Sequence, residues 1–137
     1  MPLVETLPVG ADTAQWPVWS TVARIVVTDP GRLTEAADLV KAELAAVEQA
    51  CSRFRDDSEL NAVCRAGGRP VRVSSMLRDL VAAALRAAGE TDGAVDPTVG
   101  GALCGLGYDR DFTMLTGRPA APAVRVFPTP DWRSVRL

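Results

Sequence analysis

The sequence predicts an α+β domain, a mixed sheet with packed helices, and three stretches carry that expectation. Residues 18–28, VWSTVARIVVT, are dense in β-branched side chains, which suit a pleated strand. Two later stretches instead repeat apolar residues at three- and four-residue steps, as a helix with one covered face does. Composition agrees: of 137 residues, 47% are hydrophobic and 23% charged, the balance of a chain that can bury a core rather than stay disordered.

Residues 1–17, proline-bearing and without periodicity, read as a loose leader. After the strand at 18–28, Asp29 and Pro30 give a helix start, a capping carboxylate followed by proline at the first helical position. Leu33, Ala37, Val40, Leu44, Val47 and Cys51 then form one stripe along about five turns. The run from Ser52 to Asp57 breaks that stripe, Ser58 can cap a short helix through Cys64, and Gly67-Gly68 closes it in a turn. Val71 and Val73 alternate with Arg72 after Pro70, the pattern of a short strand. Ser74 or Ser75 caps a second long helix with Leu77, Leu80, Val81, Ala84, Leu85 and Ala88 on one face, and Gly89 sits where a helix commonly ends. Thr91-Asp92-Gly93 is a turn, and a glycine-dense stretch runs from Gly100 to Gly107. Residues 116–130 are rich in proline and read as a linker or surface loop, after which Asp131 to Leu137 has the look of a strand beginning. The expected organisation is a leader at 1–17, a domain at 18–115, and a linker with the start of a second part at 116–137.

Charge and residue inventory exclude several functions. A net charge of -2 gives no electrostatic case for nucleic acid or an anionic membrane surface. Nothing approaches the ~20 apolar residues of a membrane span. Histidine is absent, and Cys51, Cys64 and Cys104 form no CxxC pair. Most zinc sites and any Ser-His or Cys-His nucleophile are thereby excluded. Reduced, buried thiols in a cytoplasmic protein are the expectation. The start, Met1 to Glu5, has no basic or apolar signal region and no lipid-acceptor cysteine, which also points to the cytoplasm.

Four features could carry chemistry. The glycines at 100, 101, 105 and 107 could let backbone approach a phosphate, yet no GxGxxG or Walker lysine is present, and a tight turn is the simpler reading. The small residues of Thr91 to Thr98 would let a flat ring lie close to the backbone. There Asp96 could accept a hydrogen bond from a ligand, or merely cap the turn beside Pro97. Trp19, Phe54 and Tyr108 each lie at an element boundary, where a ring could stack on a heterocycle or simply pack. The acidic cluster Asp56, Asp57 and Glu59 reads as a solvated helix start.

Taken in order, these features resemble a known family. Ser52-Arg53-Phe54-Arg55-Asp56-Asp57-Ser58-Glu59-Leu60-Asn61 is similar to the ApbE signature of serine, an aromatic, then Asp-Ser-Glu-Leu. Thr91-Asp92-Gly93-Ala94-Val95-Asp96-Pro97-Thr98-Val99-Gly100 resembles its Thr-x-Gly-Ala-Phe-Asp-Pro-Thr-Val-Gly segment. Gly105 to Asp109 is similar to the glycine-aromatic element that follows, and Trp19-Ser20-Thr21 stands where the family has Met-Gly-Thr.

The resemblance implies an FAD:protein FMN transferase. Such an enzyme cleaves the pyrophosphate of FAD with magnesium (Mg2+), moves FMN to a threonine or serine hydroxyl of a target flavoprotein, and releases AMP. It also implies that Trp19, Phe54, Ala94, Val95 and Asp96 contact FAD. Ser20 replaces the usual glycine and Val95 the usual phenylalanine. The family continues with an Asp-Leu-Gly-Ala segment ending in lysine, then an aspartate and a threonine that help hold magnesium. Leu137 comes before those elements, so the expected metal ligands lie outside this sequence. The chain is then expected to be the amino-terminal portion of such an enzyme, needing the remainder in cis or in trans. The alternative readings are a non-catalytic flavin-binding or protein-interaction fragment and a remnant without function.

Overall fold

The computed structural model describes residues 9–115 and 130–137, which form a mixed α+β arrangement of one small antiparallel sheet and packed helices. Two compact units divide the chain, Met1–Ala45 and Ala46–Leu137, with one helix running through the boundary.

In the first unit β1 (Thr13–Val18) pairs antiparallel with β2 (Thr21–Val26), in a register that sets Val18 opposite Thr21 and Thr13 opposite Val26. The two-residue turn between them is Trp19-Ser20, both with positive φ (47° and 63°). That is the twist a tight hairpin needs. The structure therefore divides the expected strand at 18–28 and adds residues 13–17, which the sequence had placed in a loose leader. Pro17 is the reason they were missed. Counted outward from the closing pair, Val18 and Thr21, Pro17 and Val22 form the next, non-hydrogen-bonded pair. Its missing N–H therefore costs the ladder nothing. Val27 donates its amide to the Asp12 carbonyl at 2.9 Å and extends the pairing.

Asp29 caps a 3-10 turn, Pro30–Arg32, by accepting the Gly31 amide at 2.9 Å, and α1 (Leu33–Cys51) follows directly. The predicted stripe is its covered side: Ala37 is buried, and Leu33, Val40, Leu44, Val47 and Cys51 are partly covered. Within the first unit Lys41 sets its ammonium 5.4 Å from the centroid of the Trp16 ring.

In the second unit Ser58 caps α2 (Glu59–Arg65) and Ser74 caps α3 (Ser75–Glu90), each hydroxyl oxygen accepting the amide three residues on at 3.2 Å. Gly67 and Gly68 both turn the chain with positive φ after α2. No strand forms at Val71–Val73. Instead the Ser74 amide donates to the Glu59 carboxylate at 2.6 Å, so side-chain capping replaces the ladder a strand would require. The glycine-dense stretch forms α4 (Gly100–Gly105).

The last described segment, read from sequence as an incipient strand, holds a 3-10 turn at Trp132–Ser134. Asp131 explains the difference. Its carboxylate accepts the Arg133 amide at 2.9 Å, and its carbonyl accepts the Ser134 amide at 2.8 Å, curling the chain locally. The proline-rich linker expected at 116–130 and the first eight residues of the leader lie, apart from Pro130, outside the described residues.

Among the described residues the buried apolar side chains are small or few: Ala37, Ala50, Leu77 and Ala88. The most buried polar one is Ser58, at 1% exposure. Its hydroxyl donates to the Ser52 carbonyl at 2.7 Å while accepting the Asn61 amide, so Ser58→Ala would strand two backbone groups. A loss of about 1–2 kcal/mol is expected, read as a lower urea midpoint. A variant as stable as the parent would show that this hydroxyl does not hold the turn.

Candidate functional site

Two clusters of the second unit gather most of the residues singled out by sequence. The first is built on the loop between α1 and α2. Asn61 donates its side-chain amide to the carbonyls of Arg53 (3.1 Å) and Arg55 (2.7 Å), and Ser58 ties down Ser52. With the backbone held on both sides, Phe54 projects its ring outward, 39% exposed.

Tyr108 meets that ring edge to face, with centroids 5.6 Å apart and planes at 66°. The Arg53 guanidinium lies 4.9 Å from both ring centroids and donates to the Tyr108 carbonyl at 3.4 Å. Tyr108 owes its position to the end of α4. Gly107, with φ of 94°, donates to the Cys104 carbonyl at 2.9 Å, and Tyr108 donates to the Leu103 carbonyl at 2.9 Å. This pair of bonds is a Schellman motif, which needs a residue at ease with positive φ at the first position past the cap. Gly107 is thus explained by helix termination, without a phosphate.

The second cluster is the loop from Thr91 to Thr98. Helix α3 ends in the same motif: Gly93 donates to the Ala88 carbonyl at 2.8 Å and Asp92, at φ 49°, to that of Gly89 at 3.4 Å. Thr91 then closes the turn twice. Its carbonyl accepts the Ala94 amide at 3.1 Å, and its hydroxyl oxygen accepts the Val95 amide at 3.0 Å. Ala94 and Val95 are exposed, Val95 to 51%.

Asp96 accepts the Thr98 amide at 2.8 Å on Oδ1, and the Thr98 hydroxyl stands 2.7 Å from the same oxygen. Those bonds, the hydroxyl's first and the amide's second, hold the Asp96 carboxyl below the usual carboxylate range. Its other oxygen has no hydrogen-bond partner among the described residues.

The amides of Ala94 and Val95 are therefore consumed inside the loop. What the loop presents to a ligand is mainly acceptors: backbone carbonyls and an anionic Asp96. The two clusters bracket α4, with Asp96 and Thr98 before its first turn and Phe54 and Tyr108 at its last. Six residues make that helix about 9 Å long.

Trp19 belongs to the first unit, at the tip of the β-hairpin, 47% exposed. A tryptophan and a serine at positive φ, where Asn-Gly would be relaxed, is a costly local choice of a kind that gathers at functional sites.

The remaining candidates are structural. Asp57 pairs with Arg55 at 2.9 Å, and that hydrogen bond lowers its pKa. Glu59 is lowered by the amide and then the hydroxyl of Ser74, so the acidic cluster belongs to the capping of α2 and α3. All three cysteines are free, but only Cys51 is even partly covered, where burial pushes its thiol up. Cys64 and Cys104 are exposed, contrary to the expectation of buried thiols. No group of three or more Cys, Asp or Glu side chains among the described residues is placed to hold a metal ion. None of the described helices is long and apolar enough to cross a membrane.

Sequence reasoning put Tyr108 among the candidate rings without carrying it to the site, and it passed over Arg53, Asn61 and Trp132. The first two lie within the motif around Phe54, so their spacing was a usable signal. Trp132 is 39 residues from Gly93, the loop residue it touches, and gave none.

A family model described as the ApbE family matches residues 19–137, leaving only the first 18 outside. No curated protein matches the chain.

The charge on Asp96 can be tested by pH. Its folded pKa lies below the unfolded one, so its contribution is complete above about pH 4 and fades as pH falls through the folded value. Urea midpoints of the parent and Asp96→Asn should differ at neutral pH and converge as pH falls below the folded pKa of Asp96. A gap that stays constant over that range would show the charge to be without effect on the loop.

Proposed function

The chain belongs to the ApbE family, a flavin-transfer enzyme family, and we propose that it holds FAD for transfer of FMN to a target flavoprotein. In that reaction a threonine or serine hydroxyl oxygen attacks the phosphorus of the FMN moiety. The hydroxyl proton is lost, the bond to the AMP phosphate oxygen breaks, and AMP leaves with the electron pair. Placement of the reactants and stabilisation of phosphate charge dominate such a step.

The observation that carries the reading is the pairing of an exposed aromatic surface with an acceptor-rich loop across one short helix. Phe54 and Tyr108 offer an apolar ring face on one side of α4. On the other, the Ala94–Asp96 stretch offers carbonyls and a carboxylate, with the amides of Ala94 and Val95 already engaged. Acceptors suit the imide N–H of an isoalloxazine and the hydroxyls of a ribityl chain. They repel a phosphate, so this loop would grip the flavin end of FAD and leave the pyrophosphate to other groups. Trp19, exposed at a strained turn, presents an aromatic ring of the first unit.

The described residues do not fit a magnesium site. The reading accordingly gives this chain the binding and orientation of flavin, and no step here is routed through the ion.

Mixing the chain with FAD, magnesium and an acceptor protein, followed by intact-mass measurement, tests the proposal. The expected result is quenching of flavin fluorescence on binding; an FMN adduct on the acceptor would show that the chain also carries out transfer. Phe54→Ala should raise the Kd for FAD about tenfold through loss of the stacking surface. Binding with neither adduct nor AMP would favour a non-catalytic flavin-binding module. AMP release without an adduct would point to hydrolysis of FAD, and failure to bind flavin would end the reading.

A further inference from the structure

We propose that residues 130–133 are a clamp that sets the conformation of the Thr91–Thr98 loop, with Trp132 as a positioning residue for the flavin site. The role in ligand binding rests on the flavin reading above; the clamp itself rests on contacts alone.

Three contacts from this four-residue segment reach both ends of the loop. At the start, the Trp132 indole lies over Gly89 and Gly93. A Cβ built on Gly93 would come within 3.2 Å of Nε1 and 3.7 Å of Cδ1, and one on Gly89 within 3.8 Å of Cη2. The ring thus extends from the last turn of α3 to the first residues of the loop. It comes closest where the backbone has φ of 82°. Only glycine offers both that conformation and that clearance.

Next to it, the Arg133 guanidinium stacks 4.4 Å from the Trp132 ring centroid and donates to Asp92 Oδ1 at 3.2 Å. This ion pair is exposed, so its value is geometric more than energetic. At the far end, the Thr98 hydroxyl stands 2.5 Å from the Pro130 carbonyl and 2.7 Å from Asp96 Oδ1. It has one proton for two acceptors, which couples the clamp directly to the Asp96 carboxylate.

A loop tied at both ends to one short segment cannot change its span unless that segment moves. Residues 94–96 make their own bonds only to Thr91 and Thr98, the residues on which the clamp bears. Fixing the ends therefore fixes the directions of the acceptors between them. Preorganised acceptors lose less conformational freedom when a ligand binds, which is where a positioning residue gains affinity.

The test uses the full chain carrying Trp132→Ala, Trp132→Phe or Gly89→Ala. The last is a matched control, because its Cβ would meet the ring at ordinary contact distance. Amide hydrogen exchange read at residues 93–98 should speed up about tenfold in Trp132→Ala, with exchange in α1 unchanged. Trp132→Phe should restore slow exchange, and Gly89→Ala should match the parent. Under conditions where every variant is fully folded by circular dichroism, Trp132→Ala should also weaken FAD binding about tenfold. Trp132→Phe should recover most of that affinity.

Unchanged exchange in Trp132→Ala overturns the clamp. If Trp132→Ala fails to fold, exchange and FAD affinity are compared between Trp132→Phe and Gly93→Ala. Only Gly93→Ala pushes on the ring, and equal behaviour of the two again overturns the clamp. Faster exchange with unaltered FAD affinity keeps the clamp and removes its role in binding. A parent chain that binds no FAD sinks the flavin reading by itself, and the exchange result still decides the clamp.

Discussion

One buried hydroxyl organises the part of the chain where an aromatic surface is offered to solvent. Ser58 is the most buried polar side chain among the described residues, and it both donates to Ser52 and accepts from Asn61. The first bond closes the seven-residue loop, 52–58, after α1; the second starts α2. Because Asn61 in turn holds the carbonyls of Arg53 and Arg55, the backbone around Phe54 has little freedom left. Phe54 is then exposed by construction, and the Arg53 guanidinium lies over both rings, 4.9 Å from each centroid. A side chain as small as serine does this because the loop is tight, and a longer residue would hold the same groups apart.

Helix ends set the rest of the candidate site. Helices α3 and α4 both close in Schellman motifs, and in each case residues of the candidate site follow: the Ala94–Asp96 loop after α3, Tyr108 after α4. The left-handed residue at these ends is Asp92 in one case and Gly107 in the other. A motif that uses up helix carbonyls also fixes the direction in which the chain leaves. This is how a short glycine-rich stretch can orient a ligand loop without itself touching a ligand.

Much of this was legible in sequence, because capping and amphipathic spacing act over three or four residues. Asp29, Ser58 and Ser74 were readable as caps, and the stripe from Leu33 to Cys51 was readable as a covered face, since each depends only on near neighbours. What was not legible depends on partners far away or on exceptions to a rule. Residues 13–17 pair with β2 despite Pro17, because the proline falls on a non-hydrogen-bonded position that only the register reveals. Val71–Val73 alternates like a strand but has no ladder to join, and the Ser74 amide goes to Glu59 instead. Trp132 lies far along the chain from Gly89 and Gly93, so nothing local announces that those glycines face an indole. The motif order pointed to the family, which the match over residues 19–137 bears out, whereas the roles of individual residues depend on contacts that order does not encode.

The two departures from the family pattern have different physical consequences. Ser20 sits at φ 63°, where glycine would be relaxed, so the turn keeps its shape at some local cost. Val95 changes the surface instead. Its amide is committed to Thr91, its side chain is half exposed, and a valine there offers no ring to stack on a heterocycle. On the flavin reading, the loop is left with a polar task, that of presenting acceptors to the donor edge of the ring. Stacking then falls to Phe54 with Tyr108. A chain with only seven aromatic residues among 137 has few other rings to offer. Edge recognition by a loop and face recognition by separate aromatics are independent tasks, so the loss of a phenylalanine at position 95 weakens one and leaves the other intact.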